Sequence, residues 1–178
     1  MSAFEDVTAR KALTLDRIPV FICAMKSKTT LVSLAVWLAA GTLCFGSGFD
    51  GTWKLNHKKS HIHRGMGHNE TVKYEMAMPF RTKVTVDGVD AKGKPTHNEW
   101  VGMFNGTDYA VTGDPTSDTR SYNKVDDHTL NFWQKKGGQV VISGKIVLAA
   151  DGKSRTVTTT SKGPKGKMVH NTAVFDKM

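Results

Sequence analysis

The chain has 178 residues, enough for one domain and a leader and too few for two comfortable domains. Apolar residues make up 39% and there are 17 glycines, which suits a strand-rich domain able to bury a core. The formal charge is +9, but the basic residues are scattered and do not alternate with aromatics as a nucleic-acid face requires, so they read as a solvated exterior.

The first 24 residues carry acidic charges ahead of any basic pair and fit no signal peptide, so residues 1–24 are read as a mis-called extension. Met25-Lys26-Ser27-Lys28 then opens a charged start. An apolar run from Leu31 to Ala40 follows, with small residues at Gly41, Gly46, Ser47 and Gly48. Residues 25–48 are therefore expected to be a secretory signal peptide, with an apolar run short for a bilayer span of about 20 residues. Leu43 is bulky where a lipoprotein signal wants a small residue before Cys44, so lipidation is not expected. Cys23 and Cys44 are the two cysteines, which leaves a mature domain, residues 49–178, without thiol chemistry. That domain retains 20 basic and 13 acidic residues.

Phe49-Asp50-Gly51-Thr52-Trp53-Lys54-Leu55-Asn56 begins the domain as a strand, with Trp53 and Leu55 on one face and able to plug one end of a barrel. A polar, glycine-punctuated crossing loop runs from His57 to His68. Thr71 to Met78 alternates through Val72, Tyr74, Met76 and Met78, and Pro79 marks an edge, bulge or strand end. Further strands are expected over Phe80–Val86, Thr96–Phe104, Thr107–Thr112, Thr119–Val125, Thr129–Gln134, Val140–Leu148, Ser154–Ser161 and Met168–Phe175. Asn105-Gly106 and Asp151-Gly152 are the candidates for tight type I′ turns. Nine or ten strands at hairpin spacing, with no long helix, predict an all-β, antiparallel up-and-down barrel that closes to remove its edges.

With Gly51-Thr52-Trp53-Lys54-Leu55 at its first strand, the domain resembles the calycin superfamily of lipocalins and fatty-acid-binding proteins. It also looks like a group of small exported bacterial proteins that share Gly-Thr-Trp-Lys-Leu-Asn followed by Lys-Ser, here Lys59-Ser60. Turn motifs resembling theirs occur at Val86-Asp87-Gly88-Val89-Asp90 and Val111-Thr112-Gly113-Asp114-Pro115. The resemblance implies a lipocalin-like barrel with an interior ligand. Fatty-acid-binding proteins commonly hold a carboxylate with an Arg-x-Tyr pair on the last strand; the matching positions here are Ala173 and Phe175, which can offer neither charge nor donor. The expectation is therefore an apolar ligand, or an interior filled by its own side chains.

The expected lining is Trp53, Tyr74, Met76, Trp100, Phe104, Tyr122 and Phe132. The sharpest local anomaly is elsewhere. His57, His61, His63 and His68 fall within twelve residues with Met66, and the nearest carboxylate is Glu70. Imidazole and thioether together suit copper or another borderline metal, although the spacing matches no zinc motif. No catalytic triad order, nucleophile elbow or phosphate loop is present, so no enzyme activity and no cofactor are expected. The reading is an exported, periplasmic or secreted barrel that binds a small apolar molecule, with no nucleic-acid partner and no membrane span in its mature form. A metal-binding protein acting through the histidine loop is the second reading. An envelope-associated domain with a filled core is the third.

Overall fold

Ten short alternating segments joined by tight turns can satisfy their outer strands only by meeting each other. The computed structural model describes residues 48–178 and shows that solution. The strands are β1 (Gly51–Leu55), β2 (His68–Met78), β3 (Arg81–Val89), β4 (Pro95–Gly102), β5 (Tyr109–Thr112), β6 (Thr119–Lys124), β7 (Thr129–Lys136), β8 (Gln139–Leu148), β9 (Ser154–Lys162) and β10 (Met168–Lys177). Each pairs antiparallel with its sequence neighbours, and β1 pairs with β10 to close the barrel. The expected extension and the leader up to residue 47, with Cys23 and Cys44, lie outside the described residues.

Period-two alternation sets what faces inward. Trp53 lies opposite Val72 and Lys177, Leu55 opposite Phe175, and Phe175 opposite Arg155. Trp53 is fully buried at 0% exposure and donates its indole N–H to the Phe49 carbonyl at 2.7 Å. Gly51 beside it has φ +110°, a conformation closed to side-chain-bearing residues, and so lets the chain turn next to the ring. The tryptophan therefore stoppers one end of the barrel, as the sequence implies.

Three turns differ from the expected ones. Asn105-Gly106 is not a tight hairpin turn: only Gly106 has positive φ, and residues 103–108 form a longer connection. That loop leans back on β6, with Asn105 bridging Asn123 and the Phe104 carbonyl accepting from Lys124 N–H, because Phe104 is drawn into the barrel's aromatic cluster. Asp151-Gly152 likewise has one positive φ, within a five-residue connection between β8 and β9. The two-residue turn with positive φ at both central positions occurs instead at Gly137-Gly138, between Lys136 and Gln139. At Pro79 the strand ends. Phe80 follows with φ +66° and 89% exposure, so a phenylalanine occupies a position that suits glycine.

The core gathers toward the Trp53 end. Phe49, Trp53, Leu55, Tyr74, Val84, Trp100, Leu130, Phe132, Ile146, Leu148 and Phe175 pack there. Inward-facing Val111, Ile142, Val157 and Ala173 are only partly buried, so these four side chains on β5, β8, β9 and β10 keep some access to solvent.

Candidate functional site

Six of the seven expected lining residues converge. Trp100 stacks on Phe104 at 6.1 Å with nearly parallel planes, and Tyr122 meets Trp100 at 4.9 Å, Phe104 at 5.6 Å and Phe132 at 5.8 Å. Phe104 reaches Tyr74 at 6.4 Å, which extends the cluster toward Trp53. The exception is Met76. The alternation assigns it to the inner face, yet it is 79% exposed, because β2 runs past the barrel rim and its register with β3 shifts between Met76 and Met78. Met76 is not a lining residue.

Sequence reasoning missed the charged members of this interior. Arg155 on β9 is 2% exposed, with its guanidinium 4.8 Å from the Tyr74 ring, 4.9 Å from Trp53 and 5.0 Å from Phe175. Three π faces around one guanidinium offset part of its desolvation. They leave its in-plane N–H groups without acceptors: Nε and Nη1 have no hydrogen-bond partner, and among the described residues no carboxylate forms an ion pair with Arg155. Arg120 on β6 is also buried. Its Nη2 donates to Asn98 Oδ1 at 3.2 Å and to Asp114 Oδ2 at 3.3 Å, while its Nε is unpaired.

Tyr122 links the two cations electrostatically. Burial pushes its phenol up to about 12 and the neighbouring Tyr74 adds to the rise, while the charge and hydrogen bond of Arg120 and the charge of Arg155 oppose it. Among the described residues, Asp114 is the carboxylate that pairs with Arg120 of this layer. Burial pushes its pKa up, but hydrogen bonds from Ser117 and Thr116 and the Arg120 charge outweigh that and hold it below the ordinary aspartate value. Among the described residues the interior thus brings together the Arg120 and Arg155 guanidiniums and the Tyr74 and Tyr122 phenols, with Tyr109 against Trp100 at 5.7 Å and the Asp114 carboxylate on its edge.

The signal for the arginines was present in the alternation. Arg120 and Tyr122 are two apart on β6, and Arg155 shares a face with Val157 on β9. Donors absent from Ala173 and Phe175 on β10 are supplied by β6 and β9.

The histidine loop divides. The β1/β2 pairing ends at Lys54↔Thr71, and the turn that follows β1 brings His57 beside His68 at the start of β2. His57 Nε2 lies 3.1 Å from Glu70 Oε2 and His68 Nε2 lies 2.7 Å from Glu70 Oε1. The two imidazoles meet edge to face at 5.8 Å. His63 and Met66 line the same surface cleft of about 310 Å³ with His57 and His68. His61 does not join them. It forms a bridge with Thr172 on the flank of β10, where backbone pairing fixes it away from the cleft. His61 is therefore removed from the expected ligand set, and Glu70 enters it.

No family model matches the chain, and no curated protein matches it. Solved structures with a similar fold include EF1p2_mFAP2b bound to DFHBI, at 10% identity and a TM-score of 0.44, covering 74% of this chain and 94% of that one. The redesigned β-barrel mFAP1 bound to DFHBI matches at 14% identity and a TM-score of 0.42, covering 73% of this chain and 95% of that one. A de novo designed fluorescence-activating β-barrel matches at 14% identity and a TM-score of 0.37, covering 73% of this chain and 94% of that one.

Proposed function

We propose that this chain is an exported binding protein whose barrel interior takes a small amphiphilic anion, an apolar body ending in a carboxylate. The reading rests on one observation, the Arg155 guanidinium at 2% exposure with two donor nitrogens, Nε and Nη1, left without a partner. Each unmet donor costs on the order of 1–3 kcal/mol, and a buried cation is retained against that cost when an anion satisfies it in the working state. Arg120 Nε and the phenols of Tyr74 and Tyr122 supply further donors in the same interior. Val111, Ile142, Val157 and Ala173 offer the apolar body a short-chained wall. The apolar ligand expected from Ala173 and Phe175 thus gains a charged head. The role is carriage or sequestration, with no bond made or broken.

Decanoate and methyl decanoate test this on the full chain, each displacing 1-anilinonaphthalene-8-sulfonate while tryptophan emission is followed. A charge-assisted hydrogen bond contributes about 1.5–3 kcal/mol, so decanoate should bind about ten- to a hundredfold tighter than the ester. Arg155→Met should erase that difference and keep the barrel's circular dichroism. Equal binding of acid and ester, no binding of either, or an undiminished preference in Arg155→Met would each overturn the reading.

A further inference from the structure

The cleft at the base of the β1–β2 connection stands apart from the barrel interior. We propose that His57, His68 and Glu70 form a binding site for a first-row divalent cation of borderline softness, zinc or copper(II). Their three donor groups offer ligand atoms that all lie within 4.8 Å of one another, the spread a single ion can span. The set is two imidazole nitrogens and one carboxylate oxygen, a combination that binds zinc while leaving a fourth position open.

The backbone builds this arrangement rather than chance meetings of flexible side chains. His68 and Glu70 sit two apart at the start of β2 and share a face, and the turn after β1 sets the His57 ring against that of His68. Both imidazoles present Nε2 to the same carboxylate, one to each oxygen. An ion settling between the three replaces those two contacts with metal–ligand bonds and needs little movement of the backbone. His57 is 64% exposed along its side chain and Glu70 35%, so the donors can be reached from solvent.

The cleft of about 310 Å³ on this cluster supplies the remaining coordination space. Met66 and His63 line it, giving a soft and a borderline donor within the same cavity, and Arg64 on its wall suits an anion that completes the ion's shell. His68 and Glu70 on β2 and His57 in the turn after β1 form the base, and the loop above them carries the adjustable donors. Copper(II) should bind more tightly than zinc, following the usual order for nitrogen and oxygen sites.

Zinc titrated into the full chain by calorimetry tests the site, with cobalt(II) absorption as the second readout. One ion per chain is expected, with a Kd of about 1 μM or tighter, and cobalt should show d–d bands without the intense thiolate band that Cys23 or Cys44 would give. The His57→Ala, His68→Ala double variant should weaken zinc at least a hundredfold, Glu70→Gln about tenfold, and His61→Ala not at all. Circular dichroism confirms that each variant retains its sheet. A thiolate band, an unchanged Kd in the double variant, or an equal loss in His61→Ala would overturn the proposal.

Discussion

Asp114 is the carboxylate that meets the cationic layer of the barrel, and replacing it with alanine isolates what that layer costs. Its Oδ2 accepts from Arg120 Nη2 at 3.3 Å and from the Ser117 hydroxyl at 2.6 Å. Its Oδ1 accepts from Thr116 N–H at 2.8 Å and from the Thr116 hydroxyl at 2.6 Å. The side chains of Arg120 and Asp114 are 4% and 8% exposed, so the ion pair belongs to the buried class. Removing one member of such a pair destabilises by about 3–5 kcal/mol, because the other charge stays buried without compensation. Asn98 Oδ1 still accepts from Arg120, which places the expected loss near the lower end, about 3 kcal/mol. With a urea slope of about 2 kcal/mol/M, the midpoint should fall by about 1.5 M. Arg120→Met added to Asp114→Ala should restore most of the loss, since the stranded charge is its source. The acid limb checks the same account. Asp114 has a folded pKa below the unfolded value of about 3.9, so its contribution is complete above that value and disappears as pH falls through the folded one. Asp114→Ala should flatten that part of the stability profile. A loss under 1 kcal/mol, or a double variant no more stable than Asp114→Ala alone, would refute the reasoning.

Two further outcomes follow from the interior. Tyr122 is raised to about 12 in the folded state against about 10 when unfolded, so its contribution is complete below pH 10 and is lost as pH rises toward 12. Unfolding free energies from urea titrations between pH 8 and 11.5 should decline more steeply for the parent chain than for Tyr122→Phe, by on the order of 2 kcal/mol across the range; parallel curves would contradict the burial of this phenol. Gly144→Ala should destabilise by about 1–3 kcal/mol in the same assay, because the added methyl would stand 2.5 Å from two Phe132 ring carbons and from the Thr158 carbonyl oxygen, and the backbone oxygen cannot yield as a side chain would. A neutral result would mean that Phe132 does not lie over β8.

The barrel was legible because its determinants are local. Alternation through Val72 and Tyr74, the proline after Met78 and the spacing of turn residues each fix a strand from a few neighbouring residues, and closure follows from the edge problem. Where a turn type depended on a distant contact, local chemistry misled: Asn105-Gly106 has the tight-turn signature, but packing of Phe104 on Trp100 and Tyr122 favours the longer loop. Met76 fails for a related reason, since alternation gives the face of a residue and not whether the barrel extends that far. The metal cluster needed the fold. His57 and His68 are eleven positions apart, and it is the turn after β1, beside the paired β1 and β2, that brings their rings to 5.8 Å. His61, nearer to both in sequence, is carried to the flank by its bridge to Thr172.

Arg155 poses the sharper question of why a closed barrel keeps a cation in its packed end. One explanation is register: a one-residue slip of β9 would expose Val157 and bring Ser154 and Thr156 inward, so an inward side chain at this position helps to specify the sheet. That role does not require charge. Methionine would fill similar space against Trp53, Tyr74 and Phe175, make sulfur–aromatic contacts, and carry no unmet donors. Replacing buried charges with apolar residues of matching volume is often neutral or stabilising by about 1–4 kcal/mol. A guanidinium is favoured over methionine only by something that methionine cannot do, and donating in-plane N–H groups to an anion inside the barrel is such a property. Stability and ligand binding should therefore respond in opposite directions to Arg155→Met, a pattern that a purely structural arginine would not produce.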